Sequence, residues 1–232
     1  MLAVGALVCA GMVIYEAYLS FKNEMIYENL RDEGADEAQE SQQDFSNPDQ
    51  VGWISIEGTS IDYPVMQSEQ EDYYLNHDYY GNVSSFGVPY IPSGCCLESG
   101  DARSDNVIIY GHHISGGRMF SALEKYKSES FYKNHRYINL KTRTEDEVYE
   151  IFAAFKTTVY DDEGFKYYEF IDDDGSGEKF YEYVEEAILI SLYETGIIPV
   201  YGDKLLALST CEYSSKNGRL VVAARRISAQ DS

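Results

Sequence analysis

Residues 205–213 have the sequence LLALSTCEY, and residues 218–223 have the sequence GRLVVA. Both stretches are mainly apolar, and the SSKN segment between them consists of small and polar residues that favour a turn. The pattern therefore predicts a β-hairpin. Because its two strands fold back on each other, Cys211 and Arg219 are expected to lie close together.

The pairing of a thiol with a guanidinium points to nucleophilic chemistry. A thiol attacks well only as the thiolate, and an unperturbed cysteine with a pKa near ~8.5 is only slightly ionised at neutral pH. A nearby arginine favours the thiolate or donates hydrogen bonds to an oxyanion. A cysteine at a strand end is also commonly a small buried hydrophobe, so an inert Cys211 is the alternative.

A nucleophilic cysteine also needs an acid that protonates the leaving group. The chain has four histidines: His77, His112, His113 and His135. Two of them follow the sequence NVIIYG at residues 106–111, an apolar strand ended by glycine, where a rigid scaffold presents side chains to a cleft. His112 and His113 are therefore the favoured candidates. His77 is predicted to be a hydrogen-bonded structural residue and His135 to be exposed.

Several ordered motifs resemble those of the sortases, the cysteine transpeptidases of the Gram-positive cell surface. LSTC ends at Cys211, Arg219 follows eight residues later, and YGH lies about a hundred residues upstream at residues 110–112. Three further motifs resemble class B sortases in particular: VGWI at 51–54, IDYPV at 61–65 and DYYLNH at 72–77. The resemblance covers about residues 51–227.

This resemblance implies a fold and an activity. The fold is mainly β with peripheral helices: a closed barrel of about eight strands, with an N-terminal helix and a helix before the strand that carries the cysteine. The activity is cleavage of a C-terminal sorting signal of secreted proteins, through a thioacyl intermediate at Cys211. An amine of the peptidoglycan cross-bridge or a pilin lysine then resolves this intermediate. No cofactor and no metal are implied.

The resemblance also assigns roles to individual residues. It selects His112, directly after the glycine, as the acid and base, and successive side chains of a strand point to opposite faces, so His113 would face away. Arg219 would stabilise the oxyanion. Leu75, Ser209 and Glu212 would border the peptide groove. The competing hypothesis is a membrane-anchored β-barrel binding module whose cysteine is buried and inert.

The N-terminus begins with the uncharged run MLAVGALVCAGMVIY at residues 1–15. This run is shorter than the ~20 residues of a spanning helix but has the length of the apolar part of a signal sequence. A buried core helix is the alternative, whereas the resemblance implies an uncleaved anchor in the cell membrane with the catalytic domain outside. We therefore predict an anchor or signal segment at 1–21, an acidic helical linker at 22–50 and the catalytic domain at 51–232.

Charge and cysteine content exclude other classes. The net charge of −22 argues against nucleic acid, which requires clustered Lys and Arg. Four cysteines, two of them the adjacent Cys95 and Cys96, make neither a disulfide framework nor a zinc motif, so this pair is predicted to lie in a surface loop. The DDDGSGE sequence at 172–178 resembles a calcium loop, but Tyr183 occupies the position of the bidentate glutamate, and a solvated acidic loop is predicted.

Hydrophobic periodicity and turn residues place the remaining elements. Strands are predicted at 52–56, 61–65, near 87–91, at 106–110, 137–142 and 148–160. Helices are predicted at 71–76, 119–127 and 180–195.

Overall fold

The computed structural model describes residues 2–36, 45–97, 100–160 and 164–227. Its contacts divide the chain into two compact units, residues 1–41 and 42–232. The described part of the first unit is one long helix, α1 (Leu2–Asp36). The predicted linker is thus helical up to Asp36, and its residues 37–44 lie outside the described part. In the described part of the chain, no helix combines the length and apolar character that crossing a membrane requires.

The second unit is built on a β-sheet, as the sequence predicts. The described strands are β1 (Gln50–Ser55), β2 (Asp62–Met66), β3 (Asn106–Tyr110), β4 (His113–Ile114), β5 (Arg118–Met119), β6 (Tyr137–Thr142), β7 (Asp146–Thr158), β8 (Leu205–Glu212) and β9 (Gly218–Arg226). Seven of them form one sheet in the order β2-β1-β6-β7-β9-β8-β3, and β4 pairs with β5 separately. All neighbours in the large sheet are antiparallel except β3 and β8.

The two edges of the large sheet meet through Tyr90. Its amide donates to the Tyr110 carbonyl at 3.0 Å, and the Tyr110 amide donates back to the Tyr90 carbonyl at 2.8 Å. On the other side, the Met66 amide at the end of β2 donates to the Pro89 carbonyl at 2.9 Å. The strand predicted near 87–91 is therefore reduced to a short bridging segment that joins both edges of the curled sheet.

Helices cover the sheet. They are α2 (Glu129–Asn134), α3 (Glu178–Leu189) and 3-10 helices at Tyr73–Leu75, Gly100–Ala102 and Phe120–Lys127. In α3, the buried side chains are Phe180, Tyr183, Val184 and Ala187, the spacing of one apolar helix face. They pack on buried residues of β7, β8 and β9, so α3 covers the sheet just before the cysteine strand in sequence, as predicted.

Helix α3 ends at Leu189, six residues before the predicted end. The following residues pair with the edge of β7: the Leu192 amide donates to the Ala154 carbonyl at 2.8 Å, and Phe155 and Ser191 form an isolated bridge. The chain leaves the helical path because this free strand edge offers backbone partners. Periodicity alone does not reveal such a long-range partner.

Candidate active site

The predicted hairpin is present, and it brings the proposed nucleophile and its cation together. Strands β8 and β9 pair antiparallel with Cys211 directly opposite Arg219. Directly opposed residues of an antiparallel pair project from the same face of the sheet. Residues 205–210 are buried on both faces of the sheet, whereas Cys211 and Arg219 are half-buried. The hairpin therefore presents the thiol and the guanidinium side by side at its open end.

The pairing of β3 with β8 brings His112 to the same place. These parallel strands pair with Tyr110 beside Ser209, so that residue 112 and residue 211 each lie two positions further along their own strand. The Gly111 amide donates to the Ser209 carbonyl at 3.1 Å, and the Thr210 hydroxyl donates to the Gly111 carbonyl at 2.8 Å. The two strand ends are thus tied together immediately before His112 and Cys211.

The side chains of His112, Cys211 and Arg219 line one cavity of about 420 Å³. Its walls come from the 3-10 helix Tyr73–Leu75, the strand ends and the segment that follows β7. The lining residues are Glu71, Asp72, Leu75, Tyr90, Pro92, Tyr110, Gly111, His112, Val159, Tyr160, Tyr167, Tyr168, Ser209, Thr210, Cys211 and Arg219. Five of the six predicted site residues are therefore in the cavity wall.

The imidazole of His112 is held by a backbone carbonyl. Its Nε2 lies 2.7 Å from the Leu75 carbonyl oxygen, and because a carbonyl only accepts, Nε2 carries a proton in this contact. Two glycines make room for the ring and its strand: a Cβ at Gly87 would lie 2.8 Å from that same oxygen, and a Cβ at Gly111 would lie 2.5 Å from the Phe120 ring. Leu75 thus contributes its main chain to the site.

Tyrosines form much of the cavity wall, and the sequence did not single them out. The Tyr167 hydroxyl lies 2.6 Å from the Ser209 hydroxyl. Burial raises the pKa of Tyr167 to about 12, although the hydrogen bond with Ser209 and the nearby Arg219 guanidinium act in the opposite direction. Tyr160 has a left-handed backbone with φ of 65° and a side chain that is 84% exposed. Twenty-two tyrosines give no signal that separates these from core residues.

The sequence model of the sortase domain matches residues 54–227. The chain belongs to the sortase family. A relative named sortase B, from Staphylococcus aureus, is 32% identical over 184 residues, which are 78% of this chain and 71% of the relative. The solved structure of a Staphylococcus aureus sortase B–substrate complex has a TM-score of 0.79 at 27% identity, covering 93% of this chain and 99% of that one. A sortase B structure in complex with triglycine has a TM-score of 0.77 at 27% identity, covering 90% of this chain and 99% of that one.

The family assignment confirms the predicted sortase fold and the resemblance to class B. Sortases are cysteine transpeptidases, and the cavity of this sortase contains a half-buried cysteine beside an arginine and a histidine. The competing hypothesis of a binding module requires a buried cysteine. Cys211 lines an open cavity instead, so the structure does not favour that hypothesis.

Glu212 lies away from the cavity of this sortase, unlike the other residues expected at the groove. It is the neighbour of Cys211 in β8 and points to the opposite face, where its carboxylate is 2.7 Å from Lys127 Nζ. Burial favours a higher pKa for Glu212, but hydrogen bonds from Lys127 and from the Ser214 hydroxyl and amide outweigh it and lower the pKa to about 2. Glu212 is therefore not among the residues that line the cavity.

The other histidines of this sortase lie outside the cavity wall. His77 stacks on the Tyr73 ring, and its Nδ1 lies 2.7 Å from the Tyr73 carbonyl, which agrees with the predicted structural role. His135 makes the same kind of contact with Phe131, at 2.9 Å, and is half-buried instead of exposed. His113 starts β4 and contacts the main chain of Cys211.

Two loop predictions have different outcomes. Cys95 is buried and not a surface residue: the Gln67 side chain donates to its carbonyl at 2.7 Å, and burial raises the pKa of its thiol to about 11.

In the acidic loop, the Asp173 carboxylate accepts hydrogen bonds from the amides of Gly177 at 2.7 Å and Phe180 at 3.3 Å at the start of α3. Across the described ranges, no group of three or more His, Cys, Asp or Glu side chains is placed to hold a metal ion.

Proposed function

We propose that this sortase cleaves a sorting-signal peptide at a backbone carbonyl and transfers the acyl group to an amine. The observation that carries the proposal is the shared cavity, in which strand pairing places Cys211 opposite Arg219 and brings His112 to the neighbouring strand end. The peptide would lie in this cavity, against the Leu75 main chain, Ser209 and the tyrosine wall.

In the first half of the reaction, the Cys211 thiolate attacks the scissile carbonyl carbon. The C–N bond breaks, the leaving amine takes a proton from His112, and a thioacyl group remains on Sγ. Arg219 donates hydrogen bonds to the oxyanion that forms in between. Since the Leu75 carbonyl engages the Nε2 proton, Nδ1 is the nitrogen that takes the thiol proton when Cys211 ionises and then gives it to the leaving amine.

In the second half, an acceptor amine attacks the thioacyl carbon and gives its proton to His112. The new C–N bond forms as the C–S bond breaks, and the thiolate is regenerated. The complex of a related sortase B with triglycine supports an unhindered glycine amine, as in a peptidoglycan cross-bridge. A pilin lysine is the other acceptor that this chemistry accommodates.

A peptide library with two acceptors tests the proposal. The whole chain is incubated with the library and either triglycine or Nα-acetyl-lysine amide, and the products are identified by mass spectrometry. We expect one sequence class of peptides to be cleaved. With triglycine present, the cleaved peptide should be joined to it; with neither amine present, the peptide should be found as an adduct on Cys211. Cleavage of no peptide, or equal cleavage by a Cys211→Ala variant, would refute the transpeptidase proposal.

We further propose that residues 1–21 anchor the enzyme in the cell membrane with its catalytic domain outside. In α1, the apolar side chains of Met12, Val13, Ile14 and Tyr15 are each more than half exposed, as expected of a surface that meets lipid. The acidic residues at 22–50 would then form the linker to the catalytic domain at 51–232.

Deletion of residues 1–21 is expected to abolish membrane binding without changing catalysis. The whole chain should sediment with neutral phosphatidylcholine vesicles, chosen because the net charge of −22 repels anionic lipid. The shortened chain should stay in the supernatant and cleave the library peptide at an equal rate. A whole chain that does not sediment, or a shortened chain that loses its fold, would disprove the anchor.

A further inference from the structure

A second histidine, His113, contacts the main chain of Cys211 outside the cavity wall. The His113 Nδ1 lies 3.1 Å from the carbonyl oxygen of Cys211. A carbonyl oxygen only accepts, so Nδ1 carries a proton and donates it to this contact. His113 is the first residue of β4, and it is not among the residues that line the cavity.

This contact replaces a backbone hydrogen bond that a continued β3–β8 pairing would form. Hydrogen bonds between parallel strands recur every second residue along each strand. The Gly111 amide donates to the Ser209 carbonyl, so a continued β3 would bring the residue 113 amide to the Cys211 carbonyl. The β3–β8 pairing ends at Tyr110 and Ser209, and the imidazole of His113 contacts that carbonyl. The chain can therefore leave the β3 path after Tyr110, with His112 in the cavity wall, while the Cys211 carbonyl still accepts a hydrogen bond from His113.

Charged side chains of the neighbouring 3-10 helix lie near the imidazole of His113. Glu124 Oε1 lies 3.8 Å from His113 Nδ1, and Glu124 Oε2 lies 2.6 Å from Lys127 Nζ. Lys127 Nζ is also 2.7 Å from Oε1 of Glu212, the residue that follows Cys211. Glu124 and Lys127 both belong to the 3-10 helix Phe120–Lys127. This helix therefore places a carboxylate beside the imidazole of His113 and an ammonium group beside the side chain of Glu212.

We propose that His113 is a positioning residue for Cys211 through its contact with the Cys211 carbonyl; the inference rests on the transpeptidase function proposed above. His113 is outside the residues that line the cavity, so it acts through the main chain of Cys211. By fixing the peptide plane of Cys211, it fixes the direction from which Sγ approaches the scissile carbonyl. Displacement of a reacting group by about 1 Å costs up to about a hundredfold in rate, so loss of this support affects turnover more than binding.

The test compares His113→Leu with His113→Asn. Leucine removes the donor, whereas the asparagine amide places an N–H close to the position of Nδ1. With the library peptide that the whole chain cleaves fastest, His113→Leu is expected to lower kcat by about tenfold with KM changed less than about twofold. His113→Asn should retain at least about half of the wild-type kcat.

His135→Leu is the matched control, because the His135 Nδ1 contacts a backbone carbonyl at 2.9 Å in α2, away from the cavity. Its kcat should stay within about twofold of wild type. The inference is overturned if His113→Leu keeps kcat, if His113→Asn loses as much kcat as His113→Leu, or if both His113 variants fail to fold. Each of these outcomes is measured against an active wild type, whereas failure of the proposed function would leave wild type itself inactive.

Discussion

His112→Ala is expected to lower turnover by about a hundred- to ten-thousandfold, the usual contribution of a general acid and base. His112 is the one histidine among the residues that line the cavity. No other imidazole there could give a proton to the leaving amine or take one from the acceptor amine. Rates of peptide cleavage and of transfer to triglycine, measured on the whole chain, check this expectation. The melting temperature should change little, since the side chain is half-buried.

His112→Gln separates proton transfer from structure. The glutamine amide can still donate a hydrogen bond to the Leu75 carbonyl, as Nε2 does, but it cannot exchange a proton with an amine. We expect His112→Gln to be as inactive as His112→Ala. Substantial activity in the glutamine variant would show that His112 only supports the Leu75 segment. His135→Gln serves as the control, because His135 also contacts a backbone carbonyl but does so in α2, away from the cavity.

Local sequence patterns predicted the parts of the site that depend on neighbouring residues. The turn between two apolar runs indicated the hairpin and thereby the pairing of Cys211 with Arg219. The strand at 106–110 occurs at the predicted residues, which places the glycine and His112 at its end. These features follow from strand alternation and turn chemistry, which are short-range properties.

The alternation rule also contained a signal that the family resemblance overrode. If His112 and His113 point to opposite faces, adjacent residues of β8 do so too, and Glu212 cannot share the cavity face of Cys211. The structure places Glu212 against Lys127 accordingly. Applied to both strands, the same rule predicts that Glu212 and His113 lie away from the cavity, as their contacts with Lys127 and the Cys211 carbonyl show.

Other features depend on contacts between distant segments and have no local pattern. Tyr167 meets Ser209 across 42 positions of sequence, and Cys95 is buried because Gln67 binds its carbonyl and Asn106 lies against its thiol. Polar and glycine residues surround Cys95 in the sequence, which favours a surface loop. Tertiary contacts override such local preferences.

Arg219→Lys is expected to lower turnover by at least about a hundredfold, since a donor to a developing oxyanion contributes about that much and lysine lacks the planar fork of arginine. A structural ion pair between Arg219 and Glu212 is the alternative reason for an arginine here. The structure pairs Glu212 with Lys127, and the Arg219 Nη1 donates to the Gly218 carbonyl at 3.1 Å. The melting temperature should therefore stay close to that of wild type.

Glu212→Gln is the matched control, and it should show the opposite profile: little loss of turnover and a pH-dependent loss of stability. The folded protein lowers the pKa of Glu212 from 4.5 to about 2, so the stability that its charge contributes is present above pH 4.5 and is lost as the pH falls toward 2. Unfolding by urea should separate Glu212→Gln from wild type at pH 7, with the difference shrinking across that window. If Arg219→Lys instead retains most of its activity, or loses activity only by unfolding, Arg219 is structural, and backbone amides near Cys211 must bind the oxyanion.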